Sequence, residues 1–240
     1  MKKQFYFIIT LALSILILNS CENSWMNCIR GDEDVTDEQR DVDAFHEIEL
    51  DGSFDVYINI GQVTKVIVEA EENLIDYIET RVSNGRLEID TRRNRCIRNN
   101  EPMRIYVSTP SLDKIELNGS GKIECTGLAT DMLEIDLDGS GDIFVDLDAE
   151  FIDADISGSG EIEFEGFAEE VDFRISGSGE INALDLLVHE AFATISGSGD
   201  MYLHVLELLD IKITGSGDVY YNGNPIVNST ITGSGNVHHW

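Results

Sequence analysis

Ile175-Ser176-Gly177-Ser178-Gly179-Glu180-Ile181 is followed, one period later, by Ile195-Ser196-Gly197-Ser198-Gly199-Asp200-Met201. The same Gly-Ser-Gly frame stands at Gly119–Gly121, Gly139–Gly141, Gly158–Gly160, Gly215–Gly217 and Gly233–Gly235, with successive first glycines 18 to 20 residues apart. A fixed period of this length marks one supersecondary unit stacked on copies of itself.

Aligning the copies on the tripeptide shows what each unit buries. Two positions before the first Gly stand Leu117, Leu137, Ile156, Ile175, Ile195, Ile213 and Ile231, and two positions after the second stand Ile123, Ile143, Ile162, Ile181, Met201, Val219 and Val237. Strand side chains alternate faces, so these aliphatic columns point to one side and form a stacked core. The expected fold is all-β: a parallel β-helix with hydrogen bonds running between coils. Seven rungs at roughly 4.8 Å each give a column about 34 Å long.

The tripeptide then reads as a corner, where Gly permits positive φ or close backbone approach. Asn118, Asp138, Ser157, Ser176, Ser196, Thr214 and Thr232 precede it, and their side chains are expected to bond the corner amides.

Upstream, Leu50-Asp51-Gly52-Ser53-Phe54-Asp55-Val56 and Ile29-Arg30-Gly31-Asp32-Glu33-Asp34-Val35 read as degenerate copies of the frame. Residues 28–110 are accordingly expected to continue the solenoid as degenerate coils, joined to the regular array 111–240 in one domain. Val66-Ile67-Val68, Leu87-Glu88-Ile89 and Ile105-Tyr106-Val107 suit strands. Asn73 is positioned to N-cap a short helix through Ile78. Arg92-Arg93-Asn94-Arg95-Cys96-Ile97-Arg98 is a basic stretch, expected as an exposed loop whose arginines pair with carboxylates.

At the N-terminus, Lys2 and Lys3 precede an apolar run from Phe5 to Leu18 and then Asn19-Ser20-Cys21. The run has about 14 apolar residues against the roughly 20 of a membrane span. It reads as a secretory signal over 1–20, with Cys21 lipidated and 21–27 a short tether. The expected location is the outer membrane. Of the other cysteines, Cys125 occupies an inward solenoid position and suits a buried thiol, leaving Cys28 and Cys96 to pair.

The 240-residue chain carries a net charge of −30. So acidic a surface repels nucleic acid and anionic headgroups, so no nucleic-acid partner is expected.

The segments Phe45-His46-Glu47-Ile48-Glu49-Leu50-Asp51-Gly52-Ser53-Phe54-Asp55-Val56, Asn73-Leu74, Asn84-Gly85-Arg86-Leu87 and Pro110-Ser111-Leu112, together with the Gly-Ser-Gly array, resemble the head GIN domain family of adhesin-like exported bacterial lipoproteins. The resemblance spans nearly the whole chain after the signal. It implies a right-handed parallel β-helix at an envelope surface and little chemistry.

Directly after the corner stand Asp142, Glu161, Glu180, Asp200 and Asp218 on successive rungs, bracketed by Lys122 and Asn236. This ladder is a candidate site for a partner or for a hard cation such as Ca²⁺, which takes oxygen ligands. The simpler reading is a solvated face that deters strand aggregation. The calcium-binding nonapeptide repeat places its Asp one residue further from the second Gly, so it matches poorly. No dinucleotide fingerprint occurs, and none of the five histidines lies in a nucleophile motif. Val237 to Trp240 is expected to close the last coil, with Trp240 covering the end of the core. The functional expectation is a non-enzymatic envelope protein binding glycan or protein. The alternatives are a polysaccharide-cleaving β-helix enzyme, for which the ladder is uniform where acid/base work needs two distinct carboxylates, and a cation-dependent scaffold.

Overall fold

Corner glycines stack directly upon one another: Gly119 pairs in register with Gly139, Gly139 with Gly158, Gly158 with Gly177, Gly177 with Gly197, Gly197 with Gly215 and Gly215 with Gly233. The computed structural model describes residues 28–93 and 95–240. The expected signal 1–20, the tether 21–27 and Cys21 lie outside the described residues.

In chain order the elements are β1 (Cys28–Arg30), β2 (Val35–Arg40), β3 (Glu47–Gly52), β4 (Asp55–Ile60), β5 (Lys65–Glu71), α1 (Glu72–Ile75), β6 (Ile78–Ser83), β7 (Arg86–Thr91), β8 (Cys96–Arg98) and β9 (Arg104–Thr109). The array follows as β10 (Lys114–Gly119), β11 (Lys122–Gly139), β12 (Asp142–Gly158), β13 (Glu161–Gly177), β14 (Glu180–Gly197), β15 (Asp200–Gly215), β16 (Val219–Asn222), β17 (Ile226–Gly233) and β18 (Val237–His239). From β10 onward every pairing is parallel and joins one coil to the next, which makes a β-solenoid.

Leu117, Leu137, Ile156, Ile175, Ile195 and Ile213 before the corner, and Ile123, Ile143, Ile162, Ile181, Met201 and Val219 after it, are all buried. Phe164 and Phe173 stack inside the core with ring centroids 5.1 Å apart.

The two corner glycines are required for different reasons. Gly177 holds φ at +145°, and a Cβ there would clash with the carbonyl of Gly158 beneath it. Gly179 does not have positive φ, but a Cβ would lie 2.6 Å from Ile156 Cγ2 and 2.7 Å from Gly160 O. Stacking also satisfies the corner's backbone. Ser178 N donates to Gly158 O at 2.8 Å and Glu180 N to Gly160 O at 3.0 Å. These bonds between coils replace the side-chain caps expected from Ser176 and its column, because in-register stacking brings a carbonyl under each amide.

The degenerate copy at Gly52 joins the corner column. Gly52 pairs with Gly119, and Asp55 and Val56 with Lys122 and Ile123, while Phe54 fills the second glycine's place as a buried side chain. The copy read at Gly31 does not join the column. There β1 pairs in parallel with β8 as a separate two-stranded sheet, and the Glu71 carboxylate lies where a side chain on Gly31 would go.

Within the expected degenerate coils of 28–110 the pairing is mixed: β7 runs parallel to β3 and β9 parallel to β4, which carries the stack one rung past Gly52. Beyond that rung β5 runs antiparallel to both β2 and β9, and β6 antiparallel to β7, so these strands form a mixed-sheet cap. Helix α1 is a single turn whose N-cap is Glu71. Asn73 lies inside it and donates to Arg30 O at 2.8 Å rather than capping it. The basic stretch lies beside the cap, with Arg92 bonded to Glu79 at 3.2 Å and the Arg92 and Arg95 guanidinium groups over the Tyr77 ring.

Trp240 does not cover the far end of the core. It is 66% exposed and leans against Tyr202 and Tyr220 on the outer surface. Ile231, stacked on the buried Ile213, is consequently 40% exposed.

Candidate functional site

Strand register turns the spacing of the acids into a physical column. Asp55, Lys122, Asp142, Glu161, Glu180 and Asp200 are partners in successive pairings, and Asp218 and Asn236 continue the line on the next two rungs. Each side chain points outward because the next residue, in the Ile123 column, points in. Among the described residues no Lys or Arg forms an ion pair with Asp142, Glu161, Glu180 or Asp200; the Lys122 ammonium turns to Glu124 at 3.3 Å. Burial, then the flanking Glu161 and Asp200, pushes the Glu180 carboxyl above its ordinary range.

Towards the C-terminal end the carboxylates do backbone work. Asp200 Oδ1 accepts the Asp218 amide at 2.8 Å, and Asp218 Oδ1 accepts the Asn236 amide at 2.7 Å. Among the described residues no three His, Cys, Asp or Glu side chains gather as metal ligands. The ladder supplies one carboxylate per rung, a line of charge and not a cage.

A second column, two residues along each strand, was not singled out from the sequence. It runs Tyr106, Tyr57, Glu124, Phe144, Glu163, Asn182, Tyr202, Tyr220 and His238 through successive pairings. Tyr57 and Tyr106 stack at 5.5 Å, Tyr202 and Tyr220 at 5.0 Å, and Tyr220 and His238 at 4.7 Å. The signal was present as the third residue after each second Gly, but alternation of aromatic and acidic types hides it.

Surface depressions lie along these columns. One of about 370 Å³ is bounded by Tyr57, Tyr106, Lys65, Ile67, Asn59 and Glu124. A second of about 390 Å³ is bounded by Lys122, Glu124, Asp142, Phe144, Glu161 and Glu163. Glu124 borders both, so they follow one another along the face.

The acids that precede the corner have a different setting. Arg86 reaches Glu47 at 2.9 Å, Glu49 at 3.0 Å and Glu116 at 3.4 Å. Lys114 reaches Glu134 and Asp136, both at 2.6 Å, and Arg174 bonds Asp153 at 2.6 Å, Asp155 at 2.9 Å and Asp172. Three cations thus bridge these carboxylates and offset part of that face's charge. The ladder face keeps its charge for solvent or a partner.

The remaining site residues are structural. Cys28 and Cys96 are joined by a disulfide that staples β1 to β8. Cys125 is a free thiol in the core, and burial pushes its pKa up to about 12, with a smaller push from Asp146.

Residues 44–225 match the family described as "Putative auto-transporter adhesin, head GIN domain". Among solved structures, a putative adhesin from Bacteroides fragilis NCTC 9343 aligns with a TM-score of 0.84 and 23% identity, over 88% of this chain and all of the other. A putative lipid binding protein from Parabacteroides distasonis ATCC 8503 aligns at 0.72 and 25% identity, over 89% and 100% of the two chains. A putative adhesin from Parabacteroides merdae ATCC 43184 aligns at 0.73 and 22% identity, over 89% and 99%. Comparison with curated proteins finds no match.

Proposed function

This chain belongs to the head GIN domain family, and from that premise we propose that it is a non-enzymatic envelope lipoprotein, anchored through Cys21, whose ladder face binds repetitive glycans. The observation that carries this reading is the pairing of two columns on one face. The carboxylates from Asp142 to Asp200, which form no ion pair among the described residues, share their rungs with Phe144 and Tyr202, and Tyr57 and Tyr106 extend the ring column beyond Lys122. On the other acidic face, by contrast, Arg86, Lys114 and Arg174 bridge the carboxylates.

The chemistry suits a sugar. Carboxylate oxygens accept hydrogen bonds from hydroxyl or amino groups, and the apolar faces of Tyr and Phe cover the C–H face of a pyranose ring. Net negative charge excludes anionic glycans and favours neutral or amino-bearing ones. Identical spacing on successive rungs lets weak contacts add along one ligand chain.

A glycan array probed with the purified chain tests this. Neutral or amino-sugar polymers should be retained, and Tyr106→Ala with Phe144→Ala should remove retention without changing the circular dichroism. Retention unchanged in that double variant would reject the face as the site. The raised carboxyl of Glu180, set between Glu161 and Asp200 on the ladder, favours glycan cleavage as a second reading. Appearance of new reducing ends in a retained polymer, lost in Glu180→Gln, would establish it. Protease shaving of intact cells addresses location, since a surface protein is cut and a periplasmic one survives.

A further inference from the structure

The two ends of the solenoid are built differently. At the capped end, the outermost strands are β2, carrying Asp37, Glu38 and Arg40, and β6, carrying Glu79 and Arg81. Charged side chains on an edge strand deter pairing with another chain. At the other end the outermost strands are β17 and β18, and neither has a partner on its outer side among the described residues. From Val219 to Trp240 the sequence contains no Asp, Glu, Lys or Arg at all, in a chain of net charge −30.

Apolar surface gathers at the same end. Ile226 is 72% exposed and Ile231 40%, both on β17, and Trp240, after β18, is 66% exposed. Two ring columns also finish here with a free imidazole face: Tyr202, Tyr220 and His238 on the outside, and Tyr221 under His239 with centroids 4.8 Å apart.

We infer that this end is a self-association surface, at which two copies meet tail to tail. The charge distribution selects the occupant. Two bodies of strong like charge repel everywhere along their length, and the neutral last coil is the place where a second copy approaches without bringing carboxylates together. A two-fold axis across the end sets β17 antiparallel to β17 of the partner copy, so that the unpaired N–H and C=O groups of both edges find partners. The arrangement closes after two copies, because the capped ends that remain outside carry charged edges. It also points the two N-terminal ends away from each other.

Cysteine trapping in the full-length chain tests this. Asn228→Cys, Ser229→Cys and Thr230→Cys sample the middle of β17, where symmetric pairing brings equivalent residues together, and Glu38→Cys on β2 is the control. Mild oxidation should give a covalent dimer at one or more β17 positions and none above the parent chain at Glu38. Adding Ile231→Asp, which places like charges across the axis, should abolish the trapped dimer while the melting transition persists. Raising ionic strength should increase trapping, since salt screens repulsion between the acidic bodies. Absence of dimer at all three β17 positions, or equal dimer at Glu38, would overturn the inference. A dimer insensitive to Ile231→Asp would do so as well.

Discussion

The Glu71 carboxylate occupies the space that a side chain on Gly31 would need. Its Oε1 accepts the Glu33 amide at 2.7 Å and Asn100 Nδ2 at 3.1 Å, and its Oε2 accepts the Asn100 amide at 2.8 Å. Burial pushes this carboxyl up, but the N–H donors outweigh burial and hold it below its ordinary value of 4.5. A depressed pKa stabilises the fold above the unfolded value and ceases to do so as pH falls through the folded one. Glu71→Gln should therefore cost about 1–2 kcal/mol at neutral pH. The gap from the parent should close as pH falls below 4.5, read from urea titrations across that range. Gly31→Ala should displace the carboxylate and mimic the loss.

Corner glycines should be far less replaceable than loop glycines. At Gly177 an added Cβ meets the Gly158 carbonyl, whereas at Gly127, also at positive φ, it meets nothing within 4 Å. Gly127→Ala should cost about 1 kcal/mol from backbone strain alone. Gly177→Ala should cost about 3 kcal/mol, because the coils must separate to admit the methyl group. Paired denaturant curves decide it.

The three bridging cations, Arg86, Lys114 and Arg174, should matter most at low salt. Arg174 holds Asp153, Asp155 and Asp172 together, all partly exposed. Arg174→Gln leaves three carboxylates facing one another and should cost about 1 kcal/mol at low ionic strength. That loss should shrink as salt screens them. Urea midpoints at two salt concentrations give the comparison.

Cys125 should be unreactive in the folded chain at pH 8, since its thiol is buried and pushed up to about 12. Alkylation followed by peptide mass mapping should modify it only after unfolding. Reducing the Cys28–Cys96 bridge, by contrast, should raise amide exchange at Ile29 and Ile97 and leave Ile143 protected, because β1 and β8 form their own small sheet.

The array was legible in the sequence because one unit repeats, so a column such as Ile156, Ile175 and Ile195 declares itself by alignment. The cap was not. Val66-Ile67-Val68 and Leu87-Glu88-Ile89 show the apolar pattern of a strand, and that pattern is the same whether the neighbour runs parallel or antiparallel. Gly31 shared the corner's residue types, but its setting depends on Glu71, forty residues away. The acid ladder was visible because like follows like, from Asp142 to Asp218. Its aromatic companion was hidden because Tyr57, Glu124, Phe144 and Glu163 share a position and differ in chemistry. Trp240 looked like a lid because it is large and last, yet stacking on Tyr202 and Tyr220 draws it to the outer surface.

Binding along a repeated face has one direct signature, the dependence of affinity on ligand length. With oligosaccharides of a retained polymer, titration calorimetry should show affinity rising with each added unit until the chain spans the rungs from Tyr106 to Glu180. Beyond that length it should level off. Affinity already maximal for a mono- or disaccharide, and indifferent to further length, would place binding at a single pocket and contradict the ladder face as the binding surface.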